Sequence, residues 1–213
     1  MRAGIENWLV RHWYGDHRPP WYLRTLESLY RFGFSRAQKR ASHDKRSYRP
    51  PLPVIVVGNL TTGGAGKTPL VIRLCQLAVD MGLKPGIATT GYGRKGKETL
   101  LVRAGDDAVT CGDEPVMLAR RTGVPVAVAE DRVDAVKMLA EMELDLIFSD
   151  DGLQHAALER DIELCVVDGE RGFGNGHLIP AGPLREPVTR LATVDYVIAN
   201  GEGPGNDQLA GID

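Results

Sequence analysis

The sequence predicts an α/β fold, a mostly parallel sheet with helices on both faces, preceded by an N-terminal amphipathic helix. Three observations carry that expectation. From residue 53 onward, short apolar runs alternate with stretches of helical period, the pattern of strand-helix-strand units. The first of these runs, Val54-Ile55-Val56-Val57, leads straight into a glycine-rich loop and then a helix start. The first 49 residues differ from the rest in charge and aromatic content.

The β-branched run at 54–57 suits a strand covered on both faces. Further strands are expected at 85–89, 125–129, 144–149, 162–167 and 194–199, with helices at 67–81, 114–122 and 132–142. Ligands of such sheets collect at the carboxyl ends of the strands. The chemistry-bearing residues fall there: Gly91-Tyr92-Gly93-Arg94, Gly112-Asp113-Glu114-Pro115, the run Asp150-Asp151-Gly152-Leu153-Gln154-His155, and Asp168 with the loop through Gly176. The glycine-rich, acidic stretch 201–213 shows no helix that would cover the last strand.

The loop Thr61-Thr62-Gly63-Gly64-Ala65-Gly66-Lys67-Thr68 has the make-up of a phosphate cradle, and so of a P-loop nucleotide-binding fold. Its glycines let backbone N–H groups approach phosphate oxygens without Cβ clashes, and the following helix points its positive end at the same anion. Lys67 is placed to reach the β- and γ-phosphates of a nucleoside triphosphate, and the Thr68 hydroxyl to ligate Mg²⁺. Pro69 sits in the first helical turn, where a missing N–H costs nothing. The pattern departs from the common one at Thr61, where a glycine is usual.

A chain of 213 residues can bury a substantial core. Cys75, Cys111 and Cys165 are scattered without a C-x-x-C pair, so neither a disulfide framework nor a zinc site is indicated, and a reducing compartment is expected. No apolar stretch has the length of a membrane span. Residues 1–49 carry eleven Lys and Arg against four Asp and Glu, and nine of the thirteen aromatic residues. Trp8, Trp13, Trp21, Tyr22 and Phe32 interleave with Arg11, Arg18, Arg24 and Arg31, the composition of a helix lying on an anionic bilayer. After Pro19-Pro20, Tyr22, Leu26, Leu29, Tyr30 and Gly33 share one helical face. On composition alone, a membrane-surface helix and an ordinary helix packed on the core remain equal alternatives. No nucleic-acid-binding motif accompanies the basic excess, so no nucleic acid partner is expected.

The strand ending in Asp150-Asp151 is the acidic counterpart that a phosphate loop needs to hold Mg²⁺, although Asp-Gly is also a common turn. Asp113 and Glu114 read either as a helix cap and first-turn charge or as a base and a metal carboxylate. His155 reads as a phosphate-polarising group, an aspartate-orienting group or a loop hydrogen bonder. Arg185, in Gly182-Pro183-Leu184-Arg185-Glu186-Pro187, reads as a phosphate clamp or a surface ion-pair partner.

Val57-Gly58-Asn59, the run from Gly63 to Pro69, Gly112 to Pro115, Asp150 to His155, Gly172-Phe173-Gly174-Asn175-Gly176 and Pro180-Ala181 with the run to Pro187 together resemble the tetraacyldisaccharide 4'-kinase (lipid A 4'-kinase) family, in order and over essentially the whole chain. The resemblance implies ATP and Mg²⁺ as cofactors and transfer of the γ-phosphate to the 4'-hydroxyl of a tetraacyldisaccharide 1-phosphate, a lipid A precursor. It implies a monomer, peripheral on the cytoplasmic face of a Gram-negative inner membrane, with residues 1–49 as a membrane-docking segment and 50–213 as a P-loop kinase domain. By motif, residues 61–68 bind nucleotide, Asp113 is the base and Lys67 and His155 are catalytic. Thr68, Glu114, Asp150 and Asp151 serve the metal.

The family carries Ser-Arg before Gly-Tyr-Gly, where this chain has Thr89-Thr90, which makes Arg94 a candidate replacement cation. The family also continues into a smaller C-terminal domain that supplies a histidine partnering the catalytic aspartate, so these 213 residues are expected to be a kinase without it. Two readings of other classes stand beside this one. A membrane-associated switch ATPase shares the Gly-Gly-x-Gly-Lys-Thr loop but carries a lysine where this chain has Thr62, and a nucleotide-binding fragment without catalysis would bind ATP without transferring phosphate. No Asn-Lys-x-Asp guanine motif is present.

Overall fold

The computed structural model describes residues 2–15, 18–43, 47–91, 94 and 96–209; Tyr92 and Gly93 of the glycine-rich turn and the last four residues lie outside them. In chain order the elements are α1 (Arg2–Tyr14), α2 (Trp21–His43), β1 (Val54–Gly58), α3 (Lys67–Asp80), β2 (Pro85–Thr89), β3 (Leu100–Val102), α4 (Ala108–Cys111), α5 (Asp113–Thr122), β4 (Val126–Val128), α6 (Arg132–Ala140), β5 (Leu146–Asp150), β6 (Ile162–Asp168) and β7 (Tyr196–Asn200). Two 3-10 helices, Val188–Thr193 and Pro204–Leu209, flank β7 in sequence. The result is a mostly parallel sheet with helices on both faces, as the alternation of apolar runs and helical stretches predicts.

The chain forms two compact units. The first comprises Lys45–Gly58 and Lys67–Leu164 and holds strands in the order β3-β4-β2-β5-β1. β1, β5, β2 and β4 run parallel, with Val57 opposite Asp150 and Thr89 opposite Val128, so the carboxyl ends of these strands lie side by side. β3 pairs antiparallel with β4. Its three residues, Leu-Leu-Val, are too short a run to stand out in the sequence, and it is absent from the expected strands.

Every residue of β2, β4 and β5 is buried, as helices on both faces require. α3 packs on β1, β2 and β5 through Val71, Ile72, Cys75 and Ala78, and also on α5. α6 packs on β2, β4 and β5 through Val133, Val136 and Leu139. Its N-cap is Asp131, whose carboxylate accepts the Val133 N–H at 2.9 Å. Gly86 permits the close approach of α6: a Cβ there would lie 2.7 Å from Leu144 and 3.2 Å from Leu139.

The second unit comprises Met1–Asp44, Asn59–Gly66 and Cys165–Asp213. Residues 1–49, expected as one docking segment with a single amphipathic helix, contain two helices on either side of Pro19-Pro20. The end of α1 docks on the Gly-Phe-Gly-Asn-Gly loop. The Trp13 carbonyl accepts the Asn175 N–H at 2.8 Å, the His12 carbonyl accepts the Asn175 side-chain amide at 3.0 Å, and the Trp13 indole N–H donates to the Pro180 carbonyl at 3.0 Å. Gly174, at φ 57°, is a glycine because an added Cβ would meet the Trp13 carbonyl at 2.4 Å. The tail also contains more order than its composition suggests: in the 3-10 helix Pro204–Leu209, Gln208 accepts the Phe173 N–H at 2.7 Å.

α2 buries a narrow face through Leu23 and Glu27 and leaves Trp21, Leu29 and Phe32 outward at 79, 72 and 69 % exposure. Tyr30, which helical spacing groups with Tyr22, Leu26 and Leu29, turns inward, where its hydroxyl donates to the Arg185 carbonyl at 2.8 Å. The three cysteines are buried and form no disulfide.

Leu139 is fully buried under β2. Leu139→Ala is therefore expected to cost about 2–5 kcal/mol in reversible urea unfolding with an unchanged denaturant slope. A cost under about 0.5 kcal/mol would mean that α6 does not seal the sheet as described.

Candidate active site

At the carboxyl ends of β1 and β5 the first unit gathers five residues singled out by the sequence: Lys67, Thr68, Glu114, Asp150 and Asp151. α3 begins at Lys67, so Thr68 lies in the first turn, at the positive end of that helix. β5 ends at Asp150, only 2 % exposed, and the chain then turns through Asp151 at φ 55° into Gly152, whose N–H returns to the Val57 carbonyl at 3.3 Å. The Asp-Gly turn and the strand-end carboxylate are thus both present, one residue apart.

The Thr68 hydroxyl stands 2.7 Å from Glu114 Oε1 and 3.2 Å from Asp150 Oδ2. A hydroxyl has one hydrogen, so it cannot fully satisfy both carboxylates. Asp150 Oδ1 is buried and has no hydrogen-bond partner among the described residues. Burial, followed by the charge of Glu114, pushes the Asp150 carboxyl up to about 7, against an opposing pull from Lys67. Lys67 Nζ lies 3.5 Å from Asp151 Oδ1. Asp151 therefore faces the lysine, while Asp150 and Glu114 face the hydroxyl.

This arrangement fits a hard divalent cation: the donors are all oxygens, two are carboxylates, and one buried carboxylate oxygen lacks a partner. No three His, Cys, Asp or Glu side chains among the described residues are grouped to hold a metal by themselves. The Thr68 hydroxyl completes the set, in keeping with a magnesium site that takes its remaining oxygens from phosphate and water.

Asp113 is the first residue of α5 and is exposed. The N-cap position belongs to Gly112, at φ 94°, so the capping alternative does not account for Asp113. The next residue, Glu114, is the one that reaches Thr68.

His155 lies outside the hydrogen-bonded cluster. Its Nε2 is 3.1 Å from Asp131 Oδ1, and it lines a cavity of about 450 Å³ with Lys97, Thr99, Glu130, Asp131 and Asp134. Burial and then the nearby Arg132 hold the imidazole below its ordinary value, against the pull of Asp131. Arg132 was not anticipated by the sequence reading. It is 5 % exposed and donates through Nη2 to the Asp150 carbonyl at 2.6 Å, fixing the strand end on which the cluster depends. An arginine one residue past a helix cap gives no sequence signal of such a role.

In the second unit, the phosphate loop is braced from one side. Asn59 is fully buried, and its amide donates to Thr61 Oγ1 at 3.2 Å and to the Gly63 carbonyl at 3.5 Å. Thr61 forms an antiparallel bridge with Leu184, and the Thr62 N–H donates to the Pro183 carbonyl at 2.7 Å. The chain is still extended at Thr61, which is why that position needs no glycine. Gly63 and Gly66 have φ of 104° and 90°. Asn200 donates to the Ala65 carbonyl at 3.2 Å and lies so close that a Cβ on Gly66 would strike it.

A parallel sheet whose glycine-rich loop feeds a Lys-Thr helix start, with a strand-end aspartate on the threonine, defines the P-loop class of α/β protein. Within that class, the chain belongs to the tetraacyldisaccharide-1-P 4'-kinase family, whose profile matches residues 19–211. It is 48 % identical over 199 residues to the tetraacyldisaccharide 4'-kinase of Shewanella denitrificans, covering 92 % of this chain and 60 % of that protein. It is 53 % identical over 169 residues to that of Vibrio parahaemolyticus, covering 78 and 50 %. The structure is similar to that of LpxK from Aquifex aeolicus crystallised in complex with ATP, with a TM-score of 0.65 at 29 % identity over 93 % of this chain and 58 % of that one. The chain thus spans 50 to 60 % of the length of these relatives.

The folded pKa of Asp150 lies above the usual carboxylate value of 3.8, so the native chain holds this proton more tightly than the unfolded one. The stability it lends is present at acidic pH and is lost as pH rises through about 7. In chelator, the wild-type melting temperature is expected to fall between about pH 5.5 and about pH 8, and that of Asp150→Asn to change much less over the same interval. Added Mg²⁺ should raise the wild-type melting temperature more at the upper pH, where it no longer competes with the proton. A Mg²⁺ response independent of pH would remove Asp150 from the site.

Proposed function

We propose that this protein phosphorylates the 4'-hydroxyl of a tetraacyldisaccharide 1-phosphate with ATP, at the surface of a membrane. The Thr68 hydroxyl set between Glu114 and a buried, incompletely satisfied Asp150 is the observation that carries this reading. Nucleotide binding to this chain is supported by family membership and by the ATP complex of the Aquifex relative.

Residues 61–66 bind the phosphates through backbone N–H groups, and Lys67 neutralises the terminal phosphates while Asp151 orients its ammonium. Thr68, Asp150 and Glu114 would hold Mg²⁺. When bound, the ion draws negative charge from the β- and γ-phosphate oxygens. Asp113, exposed beside Glu114, accepts the proton of the attacking hydroxyl; its exposure leaves it open to an acceptor approaching from outside. His155, with its pKa held down, contributes a neutral hydrogen-bonding ring rather than a cation.

No helix among the described residues is long and apolar enough to cross a membrane. The outward Trp21, Leu29 and Phe32 of α2, accompanied by Arg24 and Arg31, instead suit docking on an anionic bilayer, from which a lipid acceptor would be drawn.

Asp113→Asn is expected to lower transfer of γ-labelled phosphate to the lipid acceptor in detergent micelles by roughly 10²–10⁴-fold while leaving ATP affinity within about twofold, because a base acts in the transition state. Lost ATP binding in that variant would contradict its role as base. ATP binding by wild type without any transfer would favour a nucleotide-binding protein without catalysis. Leu29→Asp together with Phe32→Asp should abolish co-sedimentation with vesicles containing phosphatidylglycerol, and unchanged sedimentation would contradict docking through α2.

A further inference from the structure

Arg185 holds the phosphate loop. Its Nη2 donates to the Asn59 carbonyl at 3.3 Å and to the Asn59 side-chain oxygen, and its backbone N–H donates to the Leu60 carbonyl at 2.7 Å. With the Thr61–Leu184 bridge and the Thr62 bond to Pro183, residues 59–62 lie against residues 183–185 as a short strand. Asn59 passes the constraint onward, since the same side chain that accepts from Arg185 donates to Thr61 and Gly63.

The opposite side of the bracing segment rests on α2. The Tyr30 hydroxyl donates to the Arg185 carbonyl at 2.8 Å. One turn earlier, Glu27 accepts the Leu178 N–H at 3.1 Å and pairs with His177 Nδ1 at 2.8 Å. Between these anchors the segment closes on itself, the Ile179 N–H donating to the Leu184 carbonyl at 2.8 Å and the Leu184 N–H to the His177 carbonyl at 3.2 Å. Arg185 is thus fastened on both edges, to the loop through its N–H and guanidinium and to the helix through its carbonyl.

We propose that Arg185 is a positioning residue for nucleotide binding and that Tyr30 links it to α2, so that seating α2 on a bilayer tightens the grip of the phosphate loop on ATP. This inference rests on the nucleotide reading given above. Without the guanidinium, the buried Asn59 loses the donor that sets its amide, and the loop loses its fixed entry geometry. Without the Tyr30 hydroxyl, the bracing segment keeps its Glu27 anchors but loses the one at Arg185, so a smaller effect of the same kind is expected. The apolar arc Trp21, Leu29 and Phe32 lies on the same helix as Tyr30, with the anchoring side turned inward.

The test is the dissociation constant of a fluorescent ATP analogue with Mg²⁺, measured without lipid acceptor on wild type, Arg185→Gln, Arg185→Lys, Tyr30→Phe and the double variant of Arg185→Gln with Tyr30→Phe. Each is measured with and without vesicles of phosphatidylethanolamine and phosphatidylglycerol, and melting temperatures are recorded alongside. Arg185→Gln should weaken binding about tenfold or more, and Tyr30→Phe by about threefold. Arg185→Lys should fall between wild type and Arg185→Gln, because one donor replaces a fork. The double variant should bind worse than Arg185→Gln alone, since the Tyr30 hydroxyl bonds the backbone carbonyl of residue 185, which the side-chain substitution leaves in place. Vesicles should tighten binding for wild type and not for Tyr30→Phe. Single variants with wild-type affinity would overturn the positioning role. Effects that follow the melting temperature across all variants would reduce it to general stability, and a wild-type constant unchanged by vesicles would overturn the link to docking. Wild type that binds no nucleotide at all would sink the kinase reading itself, and this inference with it.

Discussion

The first unit is organised around one hydroxyl hydrogen that cannot serve two carboxylates. Thr68 stands between Glu114 and Asp150 at hydrogen-bond distance from both, in a place dry enough to raise the Asp150 carboxyl to about 7. Two carboxylates brought together away from water repel each other, and a site of this kind persists only with a proton or a cation among its oxygens. Three elements meet to create it: the start of α3, the end of β5 and the start of α5. The burial of β5, the packing of α3 on α5 and the Arg132 bond to the Asp150 carbonyl all serve to hold those ends in place. Lys67 and Asp151 form a second, more exposed pair beside it, so opposite charges are already paired where a polyphosphate would be received.

The second unit solves a different problem, how to hold a glycine-rich loop whose own residues have almost no side chains with which to hold it. Asn59 and Asn200 brace the loop from either end, and the antiparallel pairing with residues 183–185 replaces the order that glycines cannot supply. The bracing segment depends in turn on α2 through Glu27 and Tyr30. The inner face of this helix combines the buried Leu23 with hydrogen-bonding Glu27 and Tyr30, while its exposed side mixes Trp21, Leu29 and Phe32 with Arg24 and Arg31. The inner contacts fix the helix to particular backbone positions, and the exposed aromatic and basic residues are the ones the proposed membrane docking uses.

Much of this was legible in the sequence because the signals were local. The Val54–Gly58 strand, the Gly-Lys-Thr turn and the Asp150-Asp151 strand end each carry their chemistry within a few residues, and all three lie where their motifs place them. Identities that depend on distant partners were not legible. Spacing alone could not divide the work of Asp150 from that of Asp151, which the structure separates by turning one toward Thr68 and the other toward Lys67. Spacing left the face of Tyr22, Leu26, Leu29 and Tyr30 open to either a membrane or the core, and Tyr30 parts from the others to face Arg185, 155 positions away in sequence. Arg132 and the short strand β3 gave no signal, one because a buried guanidinium resembles any surface arginine in sequence, the other because three apolar residues form too short a run. Thr61, which departs from the common loop pattern, is accommodated because its backbone is extended against Leu184 and needs no glycine.

The proposed function requires Thr68 and Asp150 to share a divalent cation with a bound nucleotide. Anomalous diffraction from crystals grown with Mn²⁺ and a non-hydrolysable ATP analogue addresses it directly. An anomalous peak is expected within coordinating distance of Thr68 Oγ1, with Asp150 bound directly or through one water and the analogue's β- and γ-phosphates on the same ion. A nucleotide lying along residues 63–68 with its cation remote from Thr68 and Asp150 would contradict it.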